Sequence, residues 1–181
     1  MSHLPIWYID KINPALCDEI IADCVTRDYN HASMGETTGV SDELYRNTAI
    51  QFLAKDHWLE AHLKKIVEQA NQECNWNYLI SEHEQIQFAR YTEKQLYNWH
   101  TDFFLLGLKP TDRKVSVVCL MNDPSEFQGG EFKVRLYQEY VAPLEKGSVI
   151  VFPSMLEHCV TPIISGVRYS ATMWLSGDKF R

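Results

Sequence analysis

Two stretches in the first 80 residues have the apolar spacing of amphipathic helices. Asn13 followed by Pro14 predicts a helix start, with an N-cap residue and proline in the first helical position, and apolar residues then recur every three or four positions. Asp56 predicts the cap of a second helix, in which an apolar stripe lies opposite a charged surface. The stripe consists of Leu59, Leu63, Ile66, Val67 and Ala70. Both helices are typical of covers that pack on a larger core.

The segment from Tyr29 to Asn47 separates these helices and has neither helical nor strand periodicity. It is polar and contains Gly35 and Gly39. This composition predicts a long loop, and loops of this length in compact domains are often lids over a site. A plain surface connection is the alternative. The residues that such a lid would offer to a substrate are Tyr29, Tyr45 and Arg46.

From Glu84 onward the apolar pattern changes to short runs with the composition of strands, separated by turn residues. Many short strands without helices between them predict an antiparallel sandwich or jelly roll, with the early helices on one outer face. We therefore expect a mainly β fold with N-terminal helices and a double-stranded β-helix (jelly roll, cupin-like) core. A chain of 181 residues is long enough for one well-buried core. We predict a single domain over residues 1–181, with a helical cover at 1–80 and the jelly-roll core at 81–178.

The run WHTDFF at residues 99–104 places a histidine and an aspartate two positions apart in one of these predicted strands. Since side chains alternate between the two faces of a strand, His100 and Asp102 should point to the same side. A surface strand can carry such a pair simply to face water. The pair therefore indicates a metal site only in combination with a third ligand.

His158, at the start of a later predicted strand, is the candidate third ligand. A core histidine with its hydrogen bonds satisfied is the alternative interpretation of this residue. Two histidines and one carboxylate make the facial triad that holds non-haem Fe(II) and leaves further coordination positions open. The same nitrogen and oxygen ligands also suit Mn(II) and Zn(II), so the residue types alone leave the metal undecided.

The last predicted strand has one apolar and one largely polar face. The apolar face, with Tyr169, Ala171, Met173 and Leu175, should pack against the helices. The other face carries Arg168, Ser170, Thr172 and Trp174, and should line a cavity between two sheets. An unpaired buried guanidinium is costly, so Arg168 in this position requires an anion.

Charge and cysteine content narrow the classes of partner. The chain has 24 acidic and 17 basic residues, and its formal net charge of -7 disfavours nucleic acid and anionic lipid surfaces. Its five cysteines lack C-x-x-C spacing, as expected of reduced thiols in the cytosol. The start MSHLPIWYIDKINPAL lacks the pattern of a signal peptide, and no window approaches a membrane span. We expect a soluble, cytoplasmic protein without a membrane partner.

Three stretches carry a combined pattern: FARYTEKQLYNWHTDFF, RKVSVVCLMNDPSEFQGGEF and GSVIVFPSMLEHCVTPIISGVRYSATMWL. Together they cover roughly residues 85 to 175 and resemble the Fe(II)/2-oxoglutarate-dependent dioxygenases, in particular the prolyl 4-hydroxylase group. The resemblance implies that His100, Asp102 and His158 bind the catalytic Fe(II). It also implies that Arg168 pairs with the distal carboxylate of the cosubstrate 2-oxoglutarate.

The resemblance implies further cosubstrate contacts. Tyr91 stands where members of this group place a tyrosine whose hydroxyl contacts 2-oxoglutarate, and a half-buried strand aromatic is the alternative. Thr172 and Trp174 share the face of Arg168 and would complete the pocket wall, although Trp174 can also serve the core alone. Tyr97 is an additional, weaker candidate.

The activity implied by the resemblance is hydroxylation of an aliphatic carbon, in the first place in a prolyl residue of a peptide or protein. It uses Fe(II), 2-oxoglutarate and O2, and releases succinate and CO2. Asp102 agrees with hydroxylation, because relatives that halogenate have a small residue there. Three alternatives remain: a hydroxylase of a free amino acid or small metabolite, a jelly-roll protein that binds 2-oxoglutarate or metal without turnover, and a zinc hydrolase built on the same three ligands.

Overall fold

The computed structural model describes residues 6–31, 45–104 and 109–180, and within these ranges the chain is mainly β, as predicted. Its helices are α1 (Pro14–Cys24), α2 (Trp58–Glu73) and a short 3-10 helix (Pro124–Glu126). Its strands are β1 (Tyr8–Lys11), β2 (Asn30–His31), β3 (Ala49–Phe52), β4 (Glu82–His83), β5 (Gln87–Tyr91), β6 (Tyr97–His100), β7 (Thr111–Leu120), β8 (Phe127–Gly129), β9 (Phe132–Arg135), β10 (Glu139–Val141), β11 (Ser148–Pro153), β12 (Glu157–Val160), β13 (Ile163–Gly166) and β14 (Arg168–Asp178).

The described strands form a large sheet, a smaller sheet and a two-stranded ribbon. The large sheet has eight strands in the order β1-β11-β7-β14-β5-β3-β2, with β4 added beside β14. The smaller sheet has the order β10-β9-β12-β6, and the ribbon pairs β13 with β8. All neighbouring strands run antiparallel. This arrangement of two antiparallel sheets is consistent with the predicted jelly-roll core.

The large sheet is buried on both faces. On one face, side chains of β5, β7, β11 and β14 form an apolar cluster with the buried stripes of α1 and α2. On the other face, side chains of β3, β5, β7 and β11 form a second cluster with residues of β9 and β12 from the smaller sheet. The strand β14 shows the alternation that the sequence predicts, since Ala171, Met173 and Leu175 belong to the helix-side cluster. Its other face is therefore directed toward the space between the sheets.

The helix starts agree with the sequence in one case and differ in the other. Asn13 caps α1 as predicted, since its side chain accepts a hydrogen bond from the Ala15 N–H at 3.0 Å. In α2 the cap is His57 and not Asp56, because Asp56 adopts a left-handed conformation with a φ of 59° and the imidazole of His57 accepts from the Leu59 N–H. The predicted apolar stripe of α2 is buried.

The subdivision into a helical cover at 1–80 and a strand core at 81–178 is wrong in detail. Three strands before residue 80, namely β1, β2 and β3, belong to the large sheet. Each is at most four residues long, too short to show a clear alternating pattern, and β1 pairs with a distant strand, with Tyr8 opposite Val151. Residues 32–44, most of the predicted lid, lie outside the described residues. No described helix is long and apolar enough to cross a membrane.

Candidate active site

The three predicted metal ligands converge at one point between the two sheets. His100 ends β6 and His158 lies in β12, and the two residues pair directly across these neighbouring strands. The His158 Nε2 atom lies 3.4 Å from Asp102 Oδ2, and the His100 Nε2 atom lies 3.8 Å from Asp102 Oδ1. One ligand atom from each residue lies within 4.8 Å of the others, and all three residues are buried. Among the described residues, this group has the geometry of a metal site.

Asp102 reaches this point from outside the strand. The sequence predicts a strand that includes residues 99–104, but β6 ends at His100. The chain turns there because the backbone N–H groups of Asp102 and Phe103 both donate to the Ser154 carbonyl oxygen, at 3.0 and 3.1 Å. The expectation that His100 and Asp102 point to the same side therefore holds, whereas the strand geometry used to derive it does not continue through Asp102.

Main-chain carbonyl groups fix the orientation of both imidazole rings. His100 Nδ1 donates to the Asn98 carbonyl oxygen at 2.7 Å, and His158 Nδ1 donates to the Leu156 carbonyl oxygen at 2.9 Å. A carbonyl oxygen can only accept, so the proton resides on Nδ1 in each ring. In a neutral ring the Nε2 atom is then an acceptor, and both Nε2 atoms face Asp102, as metal ligands would.

The carboxylate of Asp102 is held by side chains. The Ser116 hydroxyl donates to Asp102 Oδ2 at 2.7 Å and lies 2.9 Å from the Ser154 hydroxyl. Burial alone would raise the pKa of this carboxyl group, but the two histidines, Ser116 and Trp174 outweigh burial and place the pKa below its ordinary value. Asp102 is therefore ionised at neutral pH and available as an anionic ligand.

Burial also keeps His100 neutral. Loss of solvent, followed in size by the neighbouring His158, lowers the pKa of His100 to about 3, although Asp102 acts in the opposite direction. A neutral imidazole can bind a metal ion without first losing a proton. The buried site thus presents its nitrogen ligand in the required form over the physiological pH range.

Arg168 begins β14 and lies directly opposite Tyr91 of β5. Its exposed fraction is 1%, and its Nη1 donates to the Ser170 hydroxyl at 3.1 Å. The Nη2 atom is buried and has no hydrogen-bond partner among the described residues, and burial lowers the pKa of the guanidinium. A buried guanidinium with an unused N–H group fits a carboxylate, which it can bind through two parallel hydrogen bonds.

All residues that the sequence assigns to the metal and to the cosubstrate line one cavity. Tyr91, Tyr97, Thr172 and Trp174 surround the same space as the triad and Arg168. On its outer side, Trp174 is covered by the Arg113 guanidinium, whose carbon lies 4.2 Å from the indole ring and which forms a bidentate ion pair with Glu84 at 2.6 and 2.7 Å. The predicted contributions of these residues to the pocket wall agree with their positions.

The sequence did not point to several residues that shape the site. Ser116 is a small polar residue in the apolar run VSVVCLM, and that contrast is the signal that could have identified it. Gly130 has a φ of 62°, and a Cβ atom there would lie 3.0 Å from Arg168 Cδ and would also meet the end of Ile163. This glycine therefore leaves room for the stem of Arg168. Gln87, buried opposite Thr172, also lines the cavity.

Tyr29 and Tyr45, the two tyrosines predicted to contact a substrate, lie in different surroundings. Tyr29 packs against the helix-side cluster, and its ring is covered by Arg90, so its predicted contact with a substrate is wrong. The short β2 draws this part of the chain to the edge of the large sheet and away from the cavity. Tyr45 donates its hydroxyl hydrogen to the Trp99 carbonyl oxygen at 3.2 Å, next to His100.

Comparison with known proteins agrees with this geometry. The model of the 2OG-Fe(II) oxygenase superfamily matches residues 86–176, half of the chain, and the chain belongs to this superfamily. The match covers all three predicted metal ligands and Arg168. It confirms the resemblance seen in the sequence, and with it the expected use of Fe(II), 2-oxoglutarate and O2 by this class of protein.

Curated relatives match about half of the chain. The PKHD-type hydroxylase YbiX of Escherichia coli is 32% identical over 94 residues, which are 49% of this chain and 41% of YbiX. The PKHD-type hydroxylase XfasM23_1638 of Xylella fastidiosa is 31% identical over 97 residues, which are 49% of this chain and 42% of the relative. The matched segment thus spans about two fifths of the length of these relatives.

Solved structures show the same fold over nearly the whole chain. A Pseudomonas putida prolyl-4-hydroxylase has a TM-score of 0.75 at 22% identity, covering 96% of this chain and 94% of its own. The viral collagen prolyl hydroxylase vCPH of Paramecium Bursaria Chlorella virus-1, in its 2OG complex, has a TM-score of 0.72 at 17% identity, covering 96% and 97%. The prolyl hydroxylase of Trichoplax adhaerens, in complex with a peptide fragment of hypoxia inducible factor, has a TM-score of 0.71 at 17% identity, covering 94% and 83%.

Proposed function

We propose that the protein is an Fe(II)- and 2-oxoglutarate-dependent dioxygenase that hydroxylates an aliphatic carbon. The observation that carries this proposal is a single buried cavity lined by a His-Asp-His group and by an arginine with an unused N–H group. The first element fits a divalent metal ion and the second fits a carboxylate. A cosubstrate that chelates a metal at one end and carries a carboxylate at the other can bind both the His-Asp-His group and the arginine.

The residues of the triad fit Fe(II) by their ligand atoms and by the ionised state of the carboxylate. His100, Asp102 and His158 would hold the ion, because both Nε2 atoms face the Asp102 oxygens and the carboxylate is ionised. Bound there, Fe(II) would supply the oxidative decarboxylation of 2-oxoglutarate to succinate and CO2 that is coupled to hydroxylation. All three ligands are buried, and this burial limits the contact of bulk water with the site.

Arg168 would bind the distal carboxylate of 2-oxoglutarate. Tyr91 lies opposite Arg168, and Thr172 lies opposite Gln87. Both line the same cavity and would add hydroxyl contacts to the cosubstrate. Trp174 would close the wall between Arg168 and the triad.

The first substrate candidate is a prolyl residue in a peptide or protein. The similarity to solved prolyl hydroxylases, one of them bound to a peptide, supports it. The second candidate is a free amino acid or small metabolite, which the small volume of the cavity and its additional arginine favour. The acidic net charge supports the absence of nucleic acid and membrane partners, and five free, buried cysteines support a cytoplasmic location.

Measurement of succinate release distinguishes the proposed dioxygenase from a non-catalytic 2-oxoglutarate-binding protein and from a zinc hydrolase. We expect oxygen-dependent succinate formation from 2-oxoglutarate by the parent protein with Fe(II), and none by His158→Ala, in which one of three protein ligands is missing. His62→Ala, which alters an exposed histidine of α2, is the matched control and should keep full activity. A protein that only binds 2-oxoglutarate would form no succinate with any metal. A zinc hydrolase would be active with Zn(II) in the absence of O2.

A further inference from the structure

Arg46 is a second buried arginine in the cavity of the triad, and the proposed reaction assigns it no role. Its exposed fraction is 8%, and its Nε atom is buried without a hydrogen-bond partner among the described residues. It lines the same space as His100, Asp102 and Arg168. None of the ion pairs between described residues includes Arg46. A guanidinium in this state can bind an anion that the described residues do not supply.

The backbone and an aromatic ring hold Arg46 beside a metal ligand. Arg46 forms an isolated antiparallel bridge with Tyr97, and its guanidinium carbon lies 4.4 Å from the centroid of the Tyr97 ring. The Tyr97 ring is stacked on the His100 imidazole, with centroids 3.5 Å apart and an angle of 12° between the planes. The cation–π contact offsets part of the cost of burying the charge but leaves the N–H group of Nε unsatisfied.

Arg46 and Arg168 occupy different parts of the cavity. Arg168 lies on β14 of the large sheet, beside Ser170 and Tyr91. Arg46 bridges to β6 of the smaller sheet, on the side of His100. One dicarboxylate cosubstrate that binds a metal at one end and Arg168 at the other would leave Arg46 unpaired. The second guanidinium therefore requires a second anion.

Charge balance leads to the same result. With neutral histidines, the site with Fe(II) and 2-oxoglutarate bound would contain four positive charges, two from Fe(II) and one each from Arg168 and Arg46. It would contain three negative charges, one from Asp102 and two from 2-oxoglutarate. One positive charge then remains in a buried space, where uncompensated charge is costly. A substrate carboxylate beside Arg46 would compensate this charge inside the cavity, provided that any ammonium group of the substrate lies toward solvent. An internal peptide residue has no carboxylate to place there.

We propose that Arg46 binds a carboxylate of the primary substrate, and that this substrate is a small carboxylic acid such as a free amino acid. The inference rests on the proposed function and selects the second of its two substrate classes. Arg46 is a specificity-determining residue in this scheme: it places the carbon that carries or adjoins the carboxylate next to His100. The bidentate geometry of a guanidinium fixes the orientation of that carboxylate.

A binding experiment without turnover tests the inference. The parent protein is loaded with Mn(II) and 2-oxoglutarate and titrated calorimetrically with each of the common L-amino acids, with the corresponding carboxamides, and with a blocked peptide that contains one internal prolyl residue. The variants Arg46→Gln and Arg46→Lys are titrated in parallel, the second because it keeps the charge and supports folding. Arg90→Gln is the matched control, since Arg90 also covers a tyrosine ring and has an unpaired Nε but does not line the cavity.

We expect at least one acid to bind about tenfold or more tightly than its carboxamide, as a charge-assisted pair requires. Arg46→Gln should remove this preference, Arg46→Lys should keep part of it, and Arg90→Gln should keep all of it, while 2-oxoglutarate affinity stays unchanged in all three variants. The inference is overturned by equal binding of acids and amides, by binding of the blocked peptide alone, by no binding of any acid, or by a preference that survives in Arg46→Gln. A parent protein that fails to bind 2-oxoglutarate would overturn the proposed function, and this inference with it.

Discussion

The Ser116 hydroxyl donates a hydrogen bond of 2.7 Å to the Asp102 carboxylate. This contact distinguishes Asp102 from the two histidines, which are oriented by main-chain carbonyl groups. The carboxylate is thus the metal ligand whose geometry depends on a neighbouring side chain, and a substitution can remove that neighbour without removing the ligand.

Ser116→Ala should weaken metal binding while the protein remains folded. Loss of the donor leaves the carboxylate less stabilised and free to rotate, and such contacts beside metal ligands typically change affinity by roughly 10- to 100-fold. Titration with Mn(II), followed by the signal of the free ion in electron paramagnetic resonance, measures this change. Ser148→Ala, which alters a buried serine that accepts from the Glu145 N–H, is the control. Equal affinities in Ser116→Ala and the parent would contradict a role for Ser116 in positioning Asp102.

Substitution of Arg168 should act on the cosubstrate and not on the metal. Arg168→Ala removes both charge and fork geometry, and we expect the 2-oxoglutarate concentration for half-saturation to rise by about 100-fold. Arg168→Lys keeps the charge, so its increase should be smaller, on the order of tenfold. Saturation curves for 2-oxoglutarate, together with a Mn(II) titration, separate the two effects. An unchanged 2-oxoglutarate requirement in both variants would exclude Arg168 from the cosubstrate site.

Gly130→Ala should impair cosubstrate binding through Arg168. The backbone at Gly130 is left-handed, and the new Cβ atom would press on Ile163 and on the stem of Arg168. We expect a loss of roughly 1 kcal/mol or more in unfolding free energy and a several-fold rise in the 2-oxoglutarate requirement. Gly147→Ala has a similar backbone strain, with a φ of 82°, but meets the Ile12 carbonyl group instead. This control should lose stability and keep its 2-oxoglutarate requirement, and a parallel loss in both variants would argue against the specific effect.

The metal-free protein should lose stability as the pH falls below about 6.5. Burial lowers the pKa of His100 to about 3 in the folded state, so between these values the unfolded chain binds a proton that the folded protein does not. Stability therefore rises with pH across this window, by up to about 1.4 kcal/mol per pH unit from this residue. Urea unfolding between pH 4.5 and 7 should give a smaller slope for His100→Gln than for the parent. His62→Gln, an exposed control, should retain the parent slope.

Local periodicity made the long elements and one side of the site predictable. The alternation in the last strand correctly divided Arg168 and Thr172 from Ala171 and Met173, because β14 is extended over its whole length. Helical spacing likewise identified the buried stripe of α2. Both signals depend only on neighbouring residues, so a single sequence contains them.

Long-range pairing made the remaining features unpredictable. The short β1 exists because β11 lies beside it, and no local pattern reports a partner so far along the chain. The same holds for the end of β6, which depends on the Ser154 carbonyl group, and for the stacking of Arg46 on Tyr97. His158 could be proposed as a ligand from its residue type, but its position opposite His100 is a property of the assembled sheet.

The direct pairing of His100 with His158 makes metal binding a reporter of strand assembly. The two imidazoles come together only when β6 and β12 are hydrogen-bonded in this register, and a slip by one residue would turn one ring to the opposite face. Since the strands are distant in sequence, their pairing belongs to the slow, non-local events of folding. A metal ion held by both histidines would therefore stabilise only chains in which the smaller sheet has already formed.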